Sequence, residues 1–381
     1  MKEFAVDSLN KFMGIIKDEH LADSYFRGEN KKYDNISSSL VRSYTSKEMN
    51  QPLSALGQKA TRDYYNEIGY GLDSLQRDNF LAFSQHHGLK TNLIDFTTSP
   101  LVALYFACKN KTNDCGYVYV LLKSSTVDAS DTLKSICTCD NDYHNFFSID
   151  HLLDISNLTK YRKILDDYYS NNYNKLSVNL LNEFYAILDK RFLASKSFIE
   201  LINIEENPNE QLETMKKQFI DYININTHNR IDKEKINEIA DDFINMNNKN
   251  ITVYCIAQYI FLTSLKNVEL LYPTTQFDNN MIFPPCPYMI YKTPIKFDRI
   301  KNQSGVFIYQ GFIDYSANVL QKIHGNSSYG LAVQKIIPDL TIKVNNQDEI
   351  ISDLNLIGIN DKYIYGDYDT TAKYINNSIF L

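Results

Sequence analysis

Residues 91–108 read TNLIDFTTSPLVALYFAC, and this segment sets the order of two elements in the fold. Leu93, Asp95 and Thr97 alternate with Ile94 and Phe96, which is typical of a β-strand. The next residues, Ser99 and Pro100, suit an N-cap and the first position of a helix, where a missing N–H leaves no bond unmade. The apolar run that follows predicts a helix directly after the strand.

Other segments carry strand and helix patterns in an irregular order. We predict strands at 25–30, 116–122 and 305–312, and helices at 1–20, 57–70, 75–86, 251–268 and near 370–377 with a Gly stop at Gly358. Regular βαβ alternation is missing from this order, so a doubly wound sheet is disfavoured. The predicted class is α+β, with a mixed central sheet and surrounding helices.

The middle of the chain differs in composition from its two ends. A length of 381 residues fits two to three domains, or one domain with a large insert. Residues 126–250 are rich in Asn, Asp, Lys and Tyr and contain amphipathic helix patterns. We therefore expect an N-terminal part at 1–125, a mostly helical insert at 126–250, and a C-terminal part at 251–381 that completes the first fold.

Charge and apolar patterning limit the classes of partner. The net charge is −7, which provides no general attraction to nucleic acid or anionic membranes. The most apolar run, 251–265, is too short to span a bilayer, and the N-terminal segment lacks the features of a signal peptide. Six cysteines show no zinc-site spacing. We expect a cytoplasmic protein with no membrane partner and no metal.

Arg27 is the first candidate site residue, because an arginine on a buried strand needs a partner. In one hypothesis its guanidinium clamps an anion such as a phosphate, and Gly28 lets the backbone approach that ligand. In the other it bonds to Asp95 or another carboxylate and holds two elements together. Spacing alone leaves both open.

A second group of candidates lies in the segment SQHHG and the following DFTTSP. His86 is a candidate acid–base group, and Gln85 a candidate partner for an amide or a ribose hydroxyl. Asp95 is a candidate orienting carboxylate. The hydroxyls of Thr97, Thr98 and Ser99 are candidates for holding a catalytic side chain or a phosphate. The structural alternative makes these residues a helix end and an N-cap.

Three of these segments together resemble the FRG domain. They are YFRGEN at 25–30, SLVRSY at 39–44 and AFSQHHGLKTNLIDFTTSPLVALYFAC at 82–108. The name comes from Phe-Arg-Gly, here Phe26, Arg27 and Gly28. Residues 297–312 and the closing segment, 353–375, also resemble the family. The chain departs from the family pattern at several positions: Glu29 for Gln, His87 for Tyr, Lys90 for Pro, Asn92 for Arg and Phe96 for Trp.

A weaker likeness is to mono-ADP-ribosyltransferases of the Arg–Ser–Glu type, through YFRG, FTTSPLVALYF and NQSGVF in that order. The likeness implies an ADP-ribosyltransferase-like fold in which Arg27 binds the phosphates of NAD. Thr98 or Ser99 would hold the catalytic acid, whose position falls near Gln303. No Glu-x-Glu occurs there, so Glu29 and Asp95 are the candidates to replace it.

The resulting hypothesis is an FRG-domain protein with a nucleotide cleft that binds NAD, with ADP-ribose transfer or cleavage of the N-glycosidic bond as its reaction. The catalytic candidates are Arg27, His86, Asp95 and Gln303, and the nucleotide-binding candidates are Arg27, Gly28, Gln85, Thr97, Thr98 and Ser99. A protein or nucleic acid would be the acceptor, and a bacterial toxin, stress or phage-defence role would fit. The alternative is a non-catalytic nucleotide-sensing or protein-interaction module.

Overall fold

A computed structural model describes residues 2–33, 35–45, 51–110, 115–130, 133, 287–295, 298–316 and 329–380. Elements are numbered in chain order within these ranges. The predicted helical insert, apart from its first residues, and the predicted helix at 251–268 lie outside them.

The centre of the fold is a mixed sheet, which within the described ranges has eight strands in the order β1-β10-β4-β2-β3-β7-β6-β5. β1 pairs with β10 in parallel, as β5 does with β6, and the other pairs are antiparallel. β8 and β9 pair separately. The strands are β1 Lys2–Val6, β2 Tyr25–Glu29, β3 Leu93–Thr97, β4 Gly116–Leu121, β5 Thr126–Asp128, β6 Tyr288–Tyr291, β7 Gly305–Tyr309, β8 Phe312–Ser316, β9 Tyr329–Val333 and β10 Leu340–Val344.

Helices and a mixed sheet together confirm the α+β class. The α-helices are α1 Leu9–Asp18, α2 Ser39–Thr45, α3 Leu53–Ile68, α4 Ser74–Asp78, α5 Phe80–His86, α6 Pro100–Cys108, α7 Asp298–Asn302, α8 Gln347–Leu356, α9 Asp361–Tyr365 and α10 Tyr368–Phe380. In the described ranges, none of the helices is long and apolar enough to cross a membrane.

The junction between β2 and β3 divides the sheet into two halves, and we call it the seam. β2 pairs with β4 over all five of its residues. With β3 its register contains one pair, Phe26 opposite Thr97. The seam is therefore held by few backbone bonds, and side chains have to link the two halves.

The two faces of the sheet carry different side chains, because residues alternate along each strand. One face, which we call the helical face, packs against α1, α6 and α8 and includes Phe26, Val118 and Val120. The opposite face has its own apolar cluster, formed by Tyr25, Ile94, Phe96, Tyr119, Leu121, Ile290, Val306 and Ile308 with Ile36 and Ile336. Since Arg27 alternates with Phe26, its side chain starts from the opposite face.

Helix α6 forms as predicted and passes from β3 to β2 across the seam. Ser99 is its N-cap, with Oγ accepting from the Val102 N–H at 3.4 Å, and Pro100 is its first residue. The helix buries most of its residues, which explains why its sequence is apolar on every side. Its backbone contacts β2 at Gly28, where a Cβ atom would overlap the Ala103 carbonyl oxygen.

Gly28 therefore has a packing reason that the sequence did not show. Gly28 was expected to let the backbone approach a ligand. Instead Gly28 lies within β2, and the group that approaches its backbone is the Ala103 carbonyl of α6. Only glycine leaves enough room for this contact.

The N-terminal prediction of one helix over 1–20 was wrong in its first part. Residues 2–6 form β1, and the helix begins at Leu9 after the Ser8 N-cap. β1 pairs with β10, which comes from the other end of the sequence. A local pattern contains no information about such a distant partner, and the amphipathic run extended the predicted helix too far.

Two other boundaries also moved. The predicted strand at 305–312 ends at Tyr309, and β8 starts at Phe312 in the second sheet. Gln310 lies at this break, where its N–H donates to the Asn92 carbonyl at 3.0 Å. The predicted helix at 75–86 is interrupted at Asn79, which separates α4 from α5. Gly358 follows α8 with φ +87°, as its predicted role as a helix stop requires.

We predict that Gly28→Ala lowers the free energy of unfolding by at least about 2 kcal/mol, because the added methyl overlaps backbone that cannot move aside. Urea denaturation measures the change. Gly14→Ala in α1 is the matched control, because a Cβ there meets nothing within 4 Å. It should stabilise the helix by about 0.5–1 kcal/mol. Equal effects of the two substitutions would contradict the close α6–β2 contact.

Candidate functional site

Arg27 bridges the seam with its guanidinium. Nη1 donates to the Asp95 carbonyl oxygen at 2.8 Å, beyond the single β2–β3 pair. Nε donates to Glu29 Oε1, also at 2.8 Å. Arg27 is therefore bonded to a carboxylate two residues along its own strand and to the backbone of the neighbouring strand. The hypothesis of an Arg27–Asp95 side-chain ion pair is wrong, while its wider form, a pair with another carboxylate, is correct.

Glu29 is only half satisfied by this contact. Its side chain is 9% exposed, and the other carboxylate oxygen, Oε2, is buried with no hydrogen-bond partner among the residues that the structure describes. An unpaired polar atom in a protein interior costs about 1–3 kcal/mol, and more when the group is charged. Such an atom therefore indicates either a bound group that is absent here or a cost that the fold tolerates.

Two tyrosines lie beside this ion pair. The β2–β4 register places Tyr119 opposite Arg27 and Tyr117 opposite Glu29. The two rings are nearly parallel, with centroids 6.3 Å apart and an angle of 11° between their planes. We call these four side chains the Arg27 cluster: Arg27, Glu29, Tyr117 and Tyr119. The cluster combines a cation, an anion and two aromatic rings on one face.

The phenol of Tyr119 is a neutral group at physiological pH. Burial raises its pKa to about 12, and the nearby negative charge of Glu29 acts in the same direction. It can therefore donate as well as accept a hydrogen bond.

Asp95 lies on the helical face, away from the Arg27 cluster. Its neighbours along β3, Ile94 and Phe96, belong to the apolar cluster of the opposite face. Asp95 Oδ1 accepts from Gln85 Nε2 at 2.9 Å, and Gln85 Oε1 accepts from the Thr91 hydroxyl. Gln85 thus links the end of α5 to β3, and it is the hydrogen-bond partner of Asp95 that the structure shows.

His86 lies near Asp95 on the same side of the sheet. Burial lowers its pKa, and the positive charges of His87 and Arg299 lower it further, while Asp95 opposes them. The ring is therefore mainly neutral at pH 7. We call this second group the Asp95 cluster: Gln85, His86, Asp95 and Arg299.

The predicted hydroxyls connect β3 to the turn between α7 and β7. Thr97 Oγ1 donates to the Gln303 carbonyl at 2.6 Å and accepts from the Ser99 N–H at 2.9 Å. Thr98 bonds the Ser304 carbonyl through its N–H at 3.1 Å and its hydroxyl at 3.5 Å. These contacts join β3 to that turn through Thr97 and Thr98, while Ser99 is the N-cap that the structural alternative predicted.

Gln303 contacts Thr97 through its backbone carbonyl, which accepts the Thr97 hydroxyl. Its side-chain Nε2 donates to the Ile364 carbonyl of α9 at 3.2 Å. The amide thus joins α7 to α9.

The candidate residues therefore form two clusters on opposite faces of one seam. Arg27 belongs to the first, while Gln85, His86 and Asp95 belong to the second. The sequence named Glu29 as a substitute acid but did not identify it as the partner of Arg27. The Arg-Gly-Glu spacing could have shown this partnership, because residues two apart on a strand lie on the same face. Tyr119 and Arg299 were missed, because they come from other elements.

Within the described ranges, no group of three His, Cys, Asp or Glu side chains is arranged to hold a metal ion.

Comparison with known proteins shows that Arg27, Glu29 and Asp95 lie in a segment that matches a known family model. Residues 22–115 match the family model of the FRG domain. The chain contains an FRG domain. No curated protein and no solved structure matches it. The matched residues contain β2, α5, β3 and α6 and end immediately before β4, so Tyr117 and Tyr119 lie outside them, as do Arg299 and Gln303.

We predict that Arg27→Ala lowers the free energy of unfolding of this FRG-domain protein by about 3 kcal/mol, because it leaves the Glu29 charge buried without a partner. The double variant Arg27→Ala/Glu29→Gln should recover at least about 1 kcal/mol, since the buried charge is then removed. Urea denaturation at pH 7.5 measures both. Equal stabilities of the single and double variants would show that the two side chains are not coupled.

We also predict that His86 weakens the FRG-domain protein in mild acid. Its folded-state pKa lies below the ordinary 6.5, so the unfolded chain takes up the proton first. Stability that is present above pH 6.5 is therefore lost as the pH falls through the lowered pKa. The urea midpoint of the wild type should drop more between pH 7.5 and pH 5.5 than that of His86→Gln. An equal or smaller drop in the wild type would contradict the assignment.

Proposed function

We propose that the protein binds NAD or a related nucleotide at the Arg27 cluster, and that it breaks the N-glycosidic bond or transfers ADP-ribose. The observation that carries this proposal is Glu29 Oε2, a buried carboxylate oxygen beside Arg27 to which no described residue donates a hydrogen bond. A carboxylate oxygen in this position is an acceptor without a donor, and a nucleotide contains hydroxyl and amide donors that suit it.

Glu29 is the acid that best fits the catalytic role implied by the ADP-ribosyltransferase likeness. It shares a face with Arg27, whereas Asp95 starts from the helical face and is bonded to Gln85. Gln303 has an amide in place of a carboxylate, and this amide is bonded to α9. Of the three candidates, Glu29 alone is a carboxylate with a buried oxygen that has no hydrogen-bond donor among the described residues.

The proposed reaction is heterolysis of the bond between nicotinamide and C1′ of its ribose. The bonding electrons leave with nicotinamide, and positive charge develops on the ribose ring. A carboxylate in a site of low dielectric constant stabilises this charge. Water or an acceptor nucleophile then adds to C1′ and loses its proton. Arg27 contributes by holding the Glu29 carboxylate in place through the 2.8 Å bond to Oε1.

A non-catalytic nucleotide-sensing or protein-interaction module is the second candidate. It is favoured by the ion pair itself, because the guanidinium compensates part of the charge that Glu29 would direct at a transition state. Both candidates use the same residues and differ in turnover. The resemblance further suggests a setting in bacterial stress or phage defence. Plaque counts on cells that carry wild-type protein or Arg27→Ala test this setting.

We expect the full chain to bind NAD by calorimetry and to release nicotinamide, with or without added cell extract as a source of acceptor. Glu29→Gln should reduce the release rate by about 100-fold or more, as loss of one transition-state contact does in other enzymes. Glu67→Gln is the matched control, since Glu67 is an exposed residue of α3. Binding without release selects the sensing module. The absence of both binding and release overturns the proposal.

A further inference from the structure

Large apolar side chains are exposed more often around helix α10 than elsewhere in the fold. Among the described residues, twelve large apolar side chains are strongly exposed, and seven of them lie between residues 356 and 380. A single exposed apolar residue is ordinary on a protein surface, whereas a group of them marks a contact surface. The four on α10 are Tyr368 at 94%, Ile375 at 44%, Ile379 at 66% and Phe380 at 78% exposure.

The apolar residues of α10 form a line along one side of the helix, which we call the α10 stripe. Its members are Tyr368, Ala372, Ile375 and Ile379, and all four are exposed. Successive members are about four, three and four residues apart, which keeps them on one side of a helix with 3.6 residues per turn. The same spacing forms the apolar seam between paired helices in coiled coils.

The side of α10 that is turned toward the protein is polar. Among its described side chains, Thr370, Thr371 and Tyr374 are half-buried and the rest are exposed. The Tyr374 hydroxyl donates to Asn355 Oδ1 at 2.9 Å and accepts from Asn360 Nδ2 at 3.2 Å, so it anchors α10 to the end of α8 and the start of α9. A helix on the surface of a globular fold normally buries its apolar side. Helix α10 has the opposite orientation.

We propose that the α10 stripe is a dimer contact, and that its partner is the same stripe of a second copy of the chain, packed antiparallel. The stripe lies outside the Arg27 cluster, and the proposal does not depend on nucleotide binding. A two-fold axis between Ala372 and Ile375 makes the contact self-complementary. It sets Ala372 opposite Ile375 of the partner subunit, and Tyr368 opposite Ile379 of the partner subunit.

Antiparallel packing suits the sizes of these side chains. Each layer of the contact then joins a larger side chain to a smaller one, which fills the space between the helices evenly. A parallel pair would set Ala372 against its own copy and Tyr368 against its own copy. The first layer would leave a gap and the second would force the helices apart, so the parallel arrangement packs less well.

The charges of α10 favour a second copy over other partners. Its charged residues are Asp369 and Lys373, so the helix has no net charge, although the whole chain has a net charge of −7. Two copies can therefore approach at α10 without the repulsion between acidic surfaces. In the antiparallel pair, Asp369 lies beside Asn376 of the partner subunit, which is uncharged. A helix that binds a membrane surface is rich in Lys and Arg on its polar side, and α10 is not.

The size of the stripe sets the expected strength of the dimer. Helix α10 has 13 residues, so it is about 20 Å long and provides a small interface. Leu356 and Ile357 are also exposed and directly follow Asn355, which bonds Tyr374, so they lie near the edge of the same surface. We therefore expect a reversible dimer with a dissociation constant of about micromolar magnitude.

Sedimentation velocity of the full chain over about a hundredfold range of concentration tests the proposal. The wild type should shift from monomer to dimer. Ala372→Glu introduces an unpaired charge at the centre of the stripe, so the dissociation constant should rise at least about a hundredfold. Asn377→Glu is the matched control, because Asn377 is exposed on the far side of the same helix. Its dissociation constant should stay within about threefold of the wild type.

A mixture of two variants tests the antiparallel arrangement. Ile375→Lys should weaken self-association as Ala372→Glu does. In an equimolar mixture, antiparallel packing brings the added carboxylate of one chain to the added amine of the other, so mixed dimers should form at concentrations where each variant alone is monomeric. Urea midpoints equal to that of the wild type establish that the variants are folded. Ile379→Glu replaces Ala372→Glu in the first comparison should that variant not fold.

Each contrary result is decisive. A wild type that stays monomeric overturns the proposal, and so does a dimer that Ala372→Glu leaves intact, because its contact then lies elsewhere. A mixture of the two variants that stays monomeric overturns the antiparallel arrangement. A monomeric wild type that binds vesicles of phosphatidylcholine and phosphatidylserine, with binding lost in Ala372→Glu, overturns the dimer and assigns the stripe to a membrane surface.

Discussion

The hydrogen bond from Arg27 Nη1 to the Asp95 carbonyl joins β2 to β3 where the backbone ladder between them has already ended. The two halves of the sheet meet at this point, so the guanidinium replaces ladder bonds that the diverging strands cannot make. The Arg27 guanidinium is half-buried, and Glu29 provides a negative partner for it from the same strand. The seam thus brings a charged pair into the fold, and one carboxylate oxygen of that pair has no donor among the described residues.

Other residues of the FRG motif segments strengthen the same seam. Helix α6 starts at the Ser99 cap after β3 and contacts β2 at Gly28, so it spans both halves. Thr97 and Thr98 fasten the end of β3 to the turn before β7. The hydrogen bonds of these groups connect elements of the scaffold. Glu29 Oε2 is different, because no described residue donates a hydrogen bond to it, and this contrast is the reason for proposing ligand binding at the Arg27 cluster.

Several elements could be predicted because their signals are local. The period-two pattern of β3, the Ser99 cap, Pro100 and the glycine stop at Gly358 each act within a few residues. β1 was not predictable in this way, since its partner β10 lies at the other end of the chain. The site was partly predictable: Arg27 was recognised as a residue that needs a partner, and Gln85 and Asp95 were recognised as polar groups in an apolar segment. Their separation onto two faces was not, because it depends on how β2 and β3 are placed in the sheet.

The sequence by itself determined the α+β class, the strand–cap–helix order around Ser99 and the presence of an FRG domain. Periodicity, capping and motif order are properties of neighbouring residues, so they can be read without coordinates. Only the tertiary structure decided that Arg27 bonds to Glu29 and to the backbone of Asp95, and that Gly28 makes room for α6. The partner of a buried charge and the neighbour of a missing side chain depend on which strands and helices meet in space, and the sequence pattern leaves that choice open.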